Sequence, residues 1–190
     1  MILNWSAVSK ANWKLSLAAL SLLGACHSDP AQGQYVGDSI TRTDFDDLLG
    51  WGADPAALTR EHAHSGRFAT FVGPGRDYSL TYRLPLGQAS VHTVRAVEID
   101  AWVYLPSSSA AASLNVQLGR AGAGSDAPPL YAEQLNLLDQ VHEFGEWVPV
   151  HRTFVLPEGA PGESELRIFL WRQSSPEPVY LDDLHVKARE

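Results

Sequence analysis

The sequence is poor in cysteine and in basic residues, and both shortages exclude some classes of site and partner. Cys26 is the single cysteine among 190 residues, so the chain cannot form an intramolecular disulfide or a cluster of thiolate metal ligands. Lysine and arginine total 14 against 22 aspartates and glutamates, a formal net charge of −8. Nucleic acids and anionic lipids are bound largely through clustered cations, so this balance argues against both as partners.

Charged residues of either sign make up only 19% of the chain, whereas hydrophobic residues make up 45%. This apolar content is sufficient for a folded core and excludes wholesale disorder. The 15 glycines and 12 prolines predict frequent turns, which argues against long helices. The length is that of one domain.

The N-terminal segment has the composition of an export signal. Its first 25 residues contain lysines but no acidic residue, and they include an apolar run over 15–23. This run is too short for a bilayer-spanning helix, which needs roughly 20 residues. The sequence Leu23-Gly24-Ala25-Cys26 resembles the lipobox of bacterial lipoproteins. The resemblance implies cleavage before Cys26 and attachment of lipid to its thiol; an ordinary signal peptide that ends near a cysteine is the alternative.

This resemblance divides the chain into a lipoprotein signal peptide over 1–25, a flexible polar tether over 26–36 and a folded domain over 37–190. The domain is then expected at the bacterial cell envelope, on the outer membrane. Such an acidic domain is not attracted to anionic headgroups, so the lipid anchor alone has to supply the contact with the membrane.

Hydrophobic residues alternate with other residues along much of the domain, as they do in half-buried β-strands. Segments with this period are 78–84, 97–104, 114–118, 147–156, 166–171 and 179–186. Turn-forming clusters of Gly, Pro and Ser join them, and no helical pattern intervenes. The sequence therefore predicts an all-β fold, an antiparallel sandwich or barrel.

Four motifs occur in a fixed order along the domain. They are Asp44-Phe45-Asp46-Asp47-Leu48-Leu49-Gly50-Trp51, Ala63-His64-Ser65-Gly66-Arg67-Phe68-Ala69, Gly145-Glu146-Trp147 and Val179-Tyr180-Leu181-Asp182-Asp183-Leu184-His185-Val186. In this order they resemble the galactose-binding-like jelly rolls, most closely the carbohydrate-binding modules of families four, nine and twenty-two. The resemblance implies an antiparallel jelly-roll β-sandwich. It also implies a strand near Leu58, where Asp54 and Pro55 locally favour a short helix.

Several motif residues have scaffold roles that follow from their chemistry. Phe45 and Trp51 are expected to close one end of the sandwich, and Gly66 to form a tight turn with positive φ. Adjacent residues of a strand point to opposite faces, so one of Asp182 and Asp183 is expected to turn inward or toward a neighbouring loop. A buried carboxylate needs a counter-charge.

The resemblance supplies that counter-charge as a structural calcium ion. It assigns the carboxylates of Asp46 and Asp182 and backbone carbonyls near Ser65 and Arg67 as ligands, and such hard oxygens suit calcium. Asp46 stands where the family often has the longer glutamate, which weakens or shifts the site. The alternative is that these acids are solvated or paired with Arg67.

The polar sides of three predicted strands contain side chains suited to sugars. Rings stack on a pyranose, and amides, acids and guanidinium groups bind hydroxyls. If these strands share one sheet, we expect a face that binds a neutral glycan, formed by Asp100, Trp102, Asn115, Gln117, Arg167 and Trp171. The loop aromatics Tyr78 and Tyr131 are the alternative contacts.

The leading hypothesis is a non-catalytic, lipid-anchored carbohydrate-binding module. An envelope structural or adhesion domain that binds protein is the second. A GDSL-type esterase is the least favoured, although Gly37-Asp38-Ser39-Ile40 and Asp139-Gln140-Val141-His142 match its two blocks. The alternation of parallel strands and helices that such a hydrolase needs is not predicted here. His62 and His64 have the spacing of metal ligands, but no third ligand is evident nearby and a His-Ser-Gly turn is favoured.

Overall fold

The structure is a computed structural model, and it describes residues 39–52, 54–124 and 127–190. The predicted signal peptide, the lipidation site Cys26 and the tether lie outside these residues. No helix within the described ranges is long and apolar enough to cross a membrane.

Short strands joined by turns form the described chain. The strands are β1 (Ser39–Thr43), β2 (Leu58–Thr59), β3 (Ala69–Val72), β4 (Tyr82–Pro85), β5 (Ala96–Tyr104), β6 (Ser113–Gly119), β7 (Tyr131–Asn136), β8 (Trp147–Val155), β9 (Glu165–Trp171) and β10 (Val179–Arg189). Helical structure in the described residues is limited to three 3-10 turns, at Pro55–Ala57, Leu86–Gln88 and Leu137–Asp139.

The strands form two antiparallel sheets. Sheet A has the order β2-β3-β10-β5-β8, with β1 also paired to β10, and sheet B has the order β4-β9-β6-β7. The aliphatic rows of both sheets lie in one continuous core. This arrangement confirms the predicted all-β, antiparallel jelly-roll sandwich.

The last strand, β10, joins sheet A together because it pairs with three other strands. Along one edge it pairs with β3 through 179–181 and with β1 through 184–187, and along the other edge it pairs with β5. The register shifts between Asp182 and His185, where Asp183 has a φ of 45°. This β-bulge separates the part of β10 that pairs with β3 from the part that pairs with β1.

The alternating aliphatic residues lie inside the sandwich, as predicted. Buried side chains of β5 and β6 include Val97, Ile99, Ala101, Val103, Leu114, Val116 and Leu118. Phe45 and Trp51 are also buried, and their ring centroids lie 5.2 Å apart in an edge-to-face contact. Gly66 has the predicted positive φ, 57°.

Other local predictions need correction. Near Leu58 the structure has both a short helical turn and a strand. Asp54 caps the 3-10 turn Pro55–Ala57 through its side chain, and the two-residue strand β2 follows directly. The predicted strand 78–84 becomes regular only at Tyr82. The alternation also misses β1, β3 and β7. Three of the four β3 residues are buried and one of the six β7 residues is buried, so neither strand has a two-sided pattern.

Candidate functional site

The outer face of sheet B contains a groove of about 670 Å³. Its lining residues are Tyr78, Thr81, Arg83, Asn115, Gln117, Ala132, Gln134, Arg167, Phe169 and Trp171.

Strand register explains why these side chains meet. Arg167 of β9 lies opposite Arg83 of β4 and Gln117 of β6. In the next outward-facing row, Phe169 lies opposite Asn115, which lies opposite Gln134 of β7. Because side chains alternate across a strand, every second residue of each strand contributes to the same floor.

One end of the groove is aromatic. Tyr78 is 54% exposed and pairs with Trp171, which is 37% exposed, through an isolated β-bridge. The Tyr78 ring also makes an edge-to-face contact with Phe169, with centroids 5.7 Å apart. These rings form a partly open platform of the kind that stacks on the apolar face of a pyranose.

The other end is basic and rigidly held. Arg167 is only 6% exposed and donates through Nε to the Glu165 carboxylate, to which Arg83 also donates at 2.8 Å. Gly119 provides the space for the Arg167 guanidinium, since a Cβ at this position would lie 2.8 Å from its central carbon. Burial alone would raise the pKa of Glu165, but the hydrogen bonds and charges of the two arginines outweigh it and lower that pKa.

The amide side chains between these ends differ in availability. The Asn115 amide nitrogen donates to the Ser113 carbonyl oxygen at 2.9 Å and to the Ser113 hydroxyl at 3.0 Å, and the residue is buried. Gln117 is half-buried, and Gln134 is exposed. Gln117 and Gln134 are therefore better placed than Asn115 to reach a sugar hydroxyl.

Asp100 and Trp102 do not belong to this groove. They lie on β5, which is in sheet A, whereas Asn115, Gln117, Arg167 and Trp171 lie on β6 and β9 of sheet B. The condition for a single six-residue face, that the three strands share a sheet, is therefore not met. Four of the six predicted contacts meet in the groove.

Trp102 is covered rather than open. The His64 ring stacks on it with centroids 4.0 Å apart, and His62 stacks on Tyr104 of the same strand at 4.3 Å. The turn that contains the two histidines thus lies over this end of the outer face of sheet A. His62 and His64 serve there as packing residues, in agreement with the favoured interpretation of that turn.

Asp100 belongs to a charged network on sheet A. Glu98, Asp100 and His151 place their potential ligand atoms within 4.8 Å of one another, which is compatible with a metal ion. Lys187 already donates to both carboxylates, at 3.2 Å to Glu98 and 2.7 Å to Asp100. A hydrogen bond from Arg189 is the largest influence that lowers the pKa of Glu98. The cluster is therefore neutralised by cations of the chain itself.

Both acids of the bulge contact the 64–65 turn, so the expected acid turned inward or toward a neighbouring loop is present, whereas the opposite orientation of the two side chains is not. Asp182 is fully buried and accepts the backbone N–H groups of His64 and Ser65 at 2.7 and 3.1 Å. Asp183 accepts the Ser65 hydroxyl at 2.7 Å and contacts the His64 ring. The left-handed φ of Asp183 breaks the strand alternation and turns both carboxylates toward one loop.

Asp46 contacts the next residues of this turn, Gly66 and Arg67. It accepts the Arg67 backbone N–H at 3.2 Å and lies 3.6 Å from the Arg67 guanidinium, a pair at the surface. A Cβ on Gly66 would lie 2.6 Å from an Asp46 oxygen, so the carboxylate approaches the turn as closely as glycine allows. The ion pair considered as the alternative to calcium is thus present for Asp46.

The donor chemistry around this turn still fits calcium. Burial is the largest influence on Asp182 and raises its pKa to about 6, against the lowering effect of three backbone N–H groups. A divalent cation would offset this cost, and hard oxygens suit calcium. The residues that would hold it are Asp46 and Asp182 through their carboxylates and Ser65 and Arg67 through their backbone oxygens.

The esterase residues are not assembled as that family requires. The Ser39 hydroxyl contacts Nε2 of His185 at 3.1 Å, on sheet A, and its described partner is therefore not His142. Asp139 ends a 3-10 turn, and both sheets are antiparallel. The alternating α/β frame of a GDSL hydrolase is not found among the described residues.

Sequence reasoning missed some groove residues and kept Tyr78 only as an alternative. Gln134 lies on β7, where three consecutive residues are exposed and the alternation is weak. Arg83 alternates with Tyr82 and Leu84 in β4, and that period was its signal. Phe169 alternates with buried residues of β9, and this period places it on the same side of the strand as Arg167 and Trp171, as the sequence predicts. Tyr131, the second alternative, is half-buried against the core and is not a groove residue.

Solved structures share this fold at low sequence identity. The CBM22-2 xylan-binding domain of Paenibacillus barcinonensis Xyn10C is 14% identical over 79% of this chain and 99% of that one, with a TM-score of 0.52. The C-terminal family 22 carbohydrate-binding module of Clostridium thermocellum Xyn10B is 9% identical over 79% and 92%, with a TM-score of 0.50. A further xylan-binding domain of family 22 is 10% identical over 80% and 95%, also with a TM-score of 0.50.

No protein-family model matches the sequence, and neither does any curated protein. At identities this low, the structural likeness establishes the architecture. The two antiparallel sheets of this chain match the jelly-roll β-sandwich of these modules in overall architecture. The chain therefore has the galactose-binding-like jelly-roll fold that xylan-binding modules of family 22 adopt.

Proposed function

We propose that the chain is a non-catalytic carbohydrate-binding protein and that the groove of sheet B is its binding site. The observation that supports this most is the order of side chains along β9: a partly exposed tryptophan at one end, a ring next to it and a fixed arginine beyond. Rings bind the apolar face of a sugar, and the amides and guanidinium groups bind its hydroxyls.

The length of the groove favours a chain of sugars over a monosaccharide. Arg167 and Trp171 are four residues apart on one strand, a separation of about 13 Å at the usual rise per residue. A polysaccharide segment can contact both ends at once. The xylan-binding modules that share the fold are consistent with this ligand class.

Calcium is part of the proposal, as a structural ion. It would connect the Asp46 loop, the 64–67 turn and β10 on the side of the sandwich that contains sheet A. The groove is built from sheet B, so the ion would stabilise the fold without contacting the sugar.

We also propose that Cys26 is lipidated and that the domain is thereby anchored to the bacterial cell envelope. The support is the lipobox-like sequence and the absence of any other cysteine. Labelling of the full chain with an alkyne fatty acid in a bacterial host tests this. The wild-type chain should be labelled and Cys26→Ser should not; equal labelling of both would refute the anchor.

The binding proposal is tested by electrophoresis of the full chain in native gels that contain soluble polysaccharides, including xylan, mixed-linkage glucan, galactan and galacturonan. We expect retardation by at least one of them, and loss of that retardation in Tyr78→Ala. Phe144→Ala is the matched control, because Phe144 is an aromatic residue that is 39% exposed and is not a lining residue of the groove. Absence of retardation in every gel, or equal retardation of both variants, would refute the proposal.

A further inference from the structure

The charge of the groove differs from that of the chain around it. The whole chain has a formal charge of −8. The groove lining contains two arginines, Arg83 and Arg167, and no acidic side chain among the described residues. Asp100, the acid of the predicted binding face, lies on the other sheet.

The neighbouring Glu165 reduces this positive charge without cancelling it. Its single carboxylate accepts a hydrogen bond from each arginine. One negative charge shared by two guanidinium groups leaves a net charge of +1. Each guanidinium has five N–H donors, so one bond to Glu165 uses a small part of the donor capacity of each arginine.

The two arginines have different exposure. Arg167 is buried over Gly119 and forms a fixed part of the floor. The Arg83 side chain is 45% exposed on β4, so it is open to a ligand. The site therefore has one positioned cation beneath the ligand and one accessible cation beside it.

From this arrangement we infer that the groove selects a glycan that contains uronic acid, with Arg83 binding the sugar carboxylate and Arg167 supporting it from the floor. This inference rests on the proposed binding function of the same groove and names its ligand class. Arginine forms paired, charge-assisted hydrogen bonds with carboxylates. Both guanidinium groups already donate to one carboxylate, that of Glu165. A second sugar unit can stack at Trp171, about 13 Å along the strand from Arg167.

The test compares polymers that differ only in their carboxylates. Polygalacturonate and alginate are each paired with a carboxyl-reduced preparation of the same chain length, and affinities for the full-length protein are measured by titration calorimetry. We expect at least one acidic polymer to bind about tenfold more tightly than its reduced form at low salt, equivalent to about 1.4 kcal/mol. This preference should shrink at high salt, because screening weakens the exposed Arg83–carboxylate pair.

Two variants locate the effect. Arg83→Gln should weaken binding of the acidic polymer much more than binding of its reduced form, so that most of the preference is lost. Arg95→Gln removes an equal charge from an exposed position just before β5 of sheet A, and it should keep the preference intact. An unchanged preference in Arg83→Gln, or an equal loss in Arg95→Gln, would refute the assignment.

The outcomes separate this inference from the proposed function. Binding of neutral polymers without any preference for the acidic ones overturns the inference and leaves carbohydrate binding in place. Preference for dextran sulfate over galacturonate and alginate would show selection for anions in general and would also overturn it. If no polymer of either kind binds, the proposed function fails together with the inference.

Discussion

Replacing Trp171 with alanine should weaken glycan binding while leaving the fold nearly unchanged. A tryptophan buries about 150–250 Å² when it is fully covered. Since 37% of Trp171 is exposed, a stacked sugar can cover about 75 Å² of it. At about 25 cal/mol per Å², the lost contact amounts to about 2 kcal/mol, or about 25-fold in Kd.

Trp102→Ala is the matched control, because the same residue type lies on the other sheet. Trp102 is half-buried beneath His64, so its removal should cost about 2–3 kcal/mol of folding free energy. In a chain of this size that loss lowers Tm by about 5–10 °C. The affinity of Trp102→Ala for a glycan should remain within about twofold of wild type, which is well below the change expected from Trp171→Ala.

Titration calorimetry with the polysaccharide that retards the wild-type chain most strongly gives the affinities, and scanning calorimetry gives Tm. We expect Trp171→Ala to lose binding affinity and Trp102→Ala to lose stability. If Trp102→Ala weakens binding more than Trp171→Ala does, the binding surface lies on sheet A and the groove assignment is wrong.

Three further predictions concern calcium, groove geometry and pH. A chelator should lower the Tm of the full chain by several degrees, and added calcium should restore it, because an ion bound only to the folded state stabilises that state by mass action. Equal Tm values with chelator and with calcium would refute the structural calcium ion. Gly119→Ala should displace the Arg167 guanidinium and weaken glycan binding about fivefold, and it should also lower Tm because this guanidinium is buried and bonded to Glu165. Gly124→Ala, where no atom lies within 4 Å of the added Cβ, should bind like wild type. Equal affinity in both variants would contradict this role of Gly119. The pKa of Glu165 is lowered from its ordinary value of 4.5, so its contribution to stability is complete above that pH and is lost as pH falls through the lower folded value. Glu165→Gln should therefore flatten the decline of Tm with pH on the acid side, and an unchanged decline would show that Glu165 does not cause it.

Local sequence pattern determined which side of each strand faces the core, and it did so correctly for Val97, Val103, Leu114 and Leu118. It could not determine which strands become neighbours. Pairing depends on contacts between residues far apart in sequence, and β6 pairs with β9 across about 50 residues, whereas β5 pairs with β8 and β10. For that reason Asp100 and Trp102 were placed with Arg167 although they belong to the opposite sheet.

Outward orientation also does not guarantee access. Trp102 points away from the core, yet the turn at His64 covers it, and Asn115 points into the groove while its amide nitrogen is bonded to Ser113. Loops and neighbouring side chains decide these outcomes, and a single strand pattern has no information about them. The ordered motifs identified the jelly-roll fold because each of them marks a fixed point of that scaffold.

The position of β10 determines when sheet A can form during synthesis of the chain. Residues 179–189 leave the ribosome after the other described strands, yet they connect β1, β3 and β5. Until they emerge, these three strands lack their shared neighbour and sheet A stays open. Folding of this half of the sandwich therefore waits until β10 has been made, and a variant that lacks residues 179–189 would lose the sheet and not only its edge.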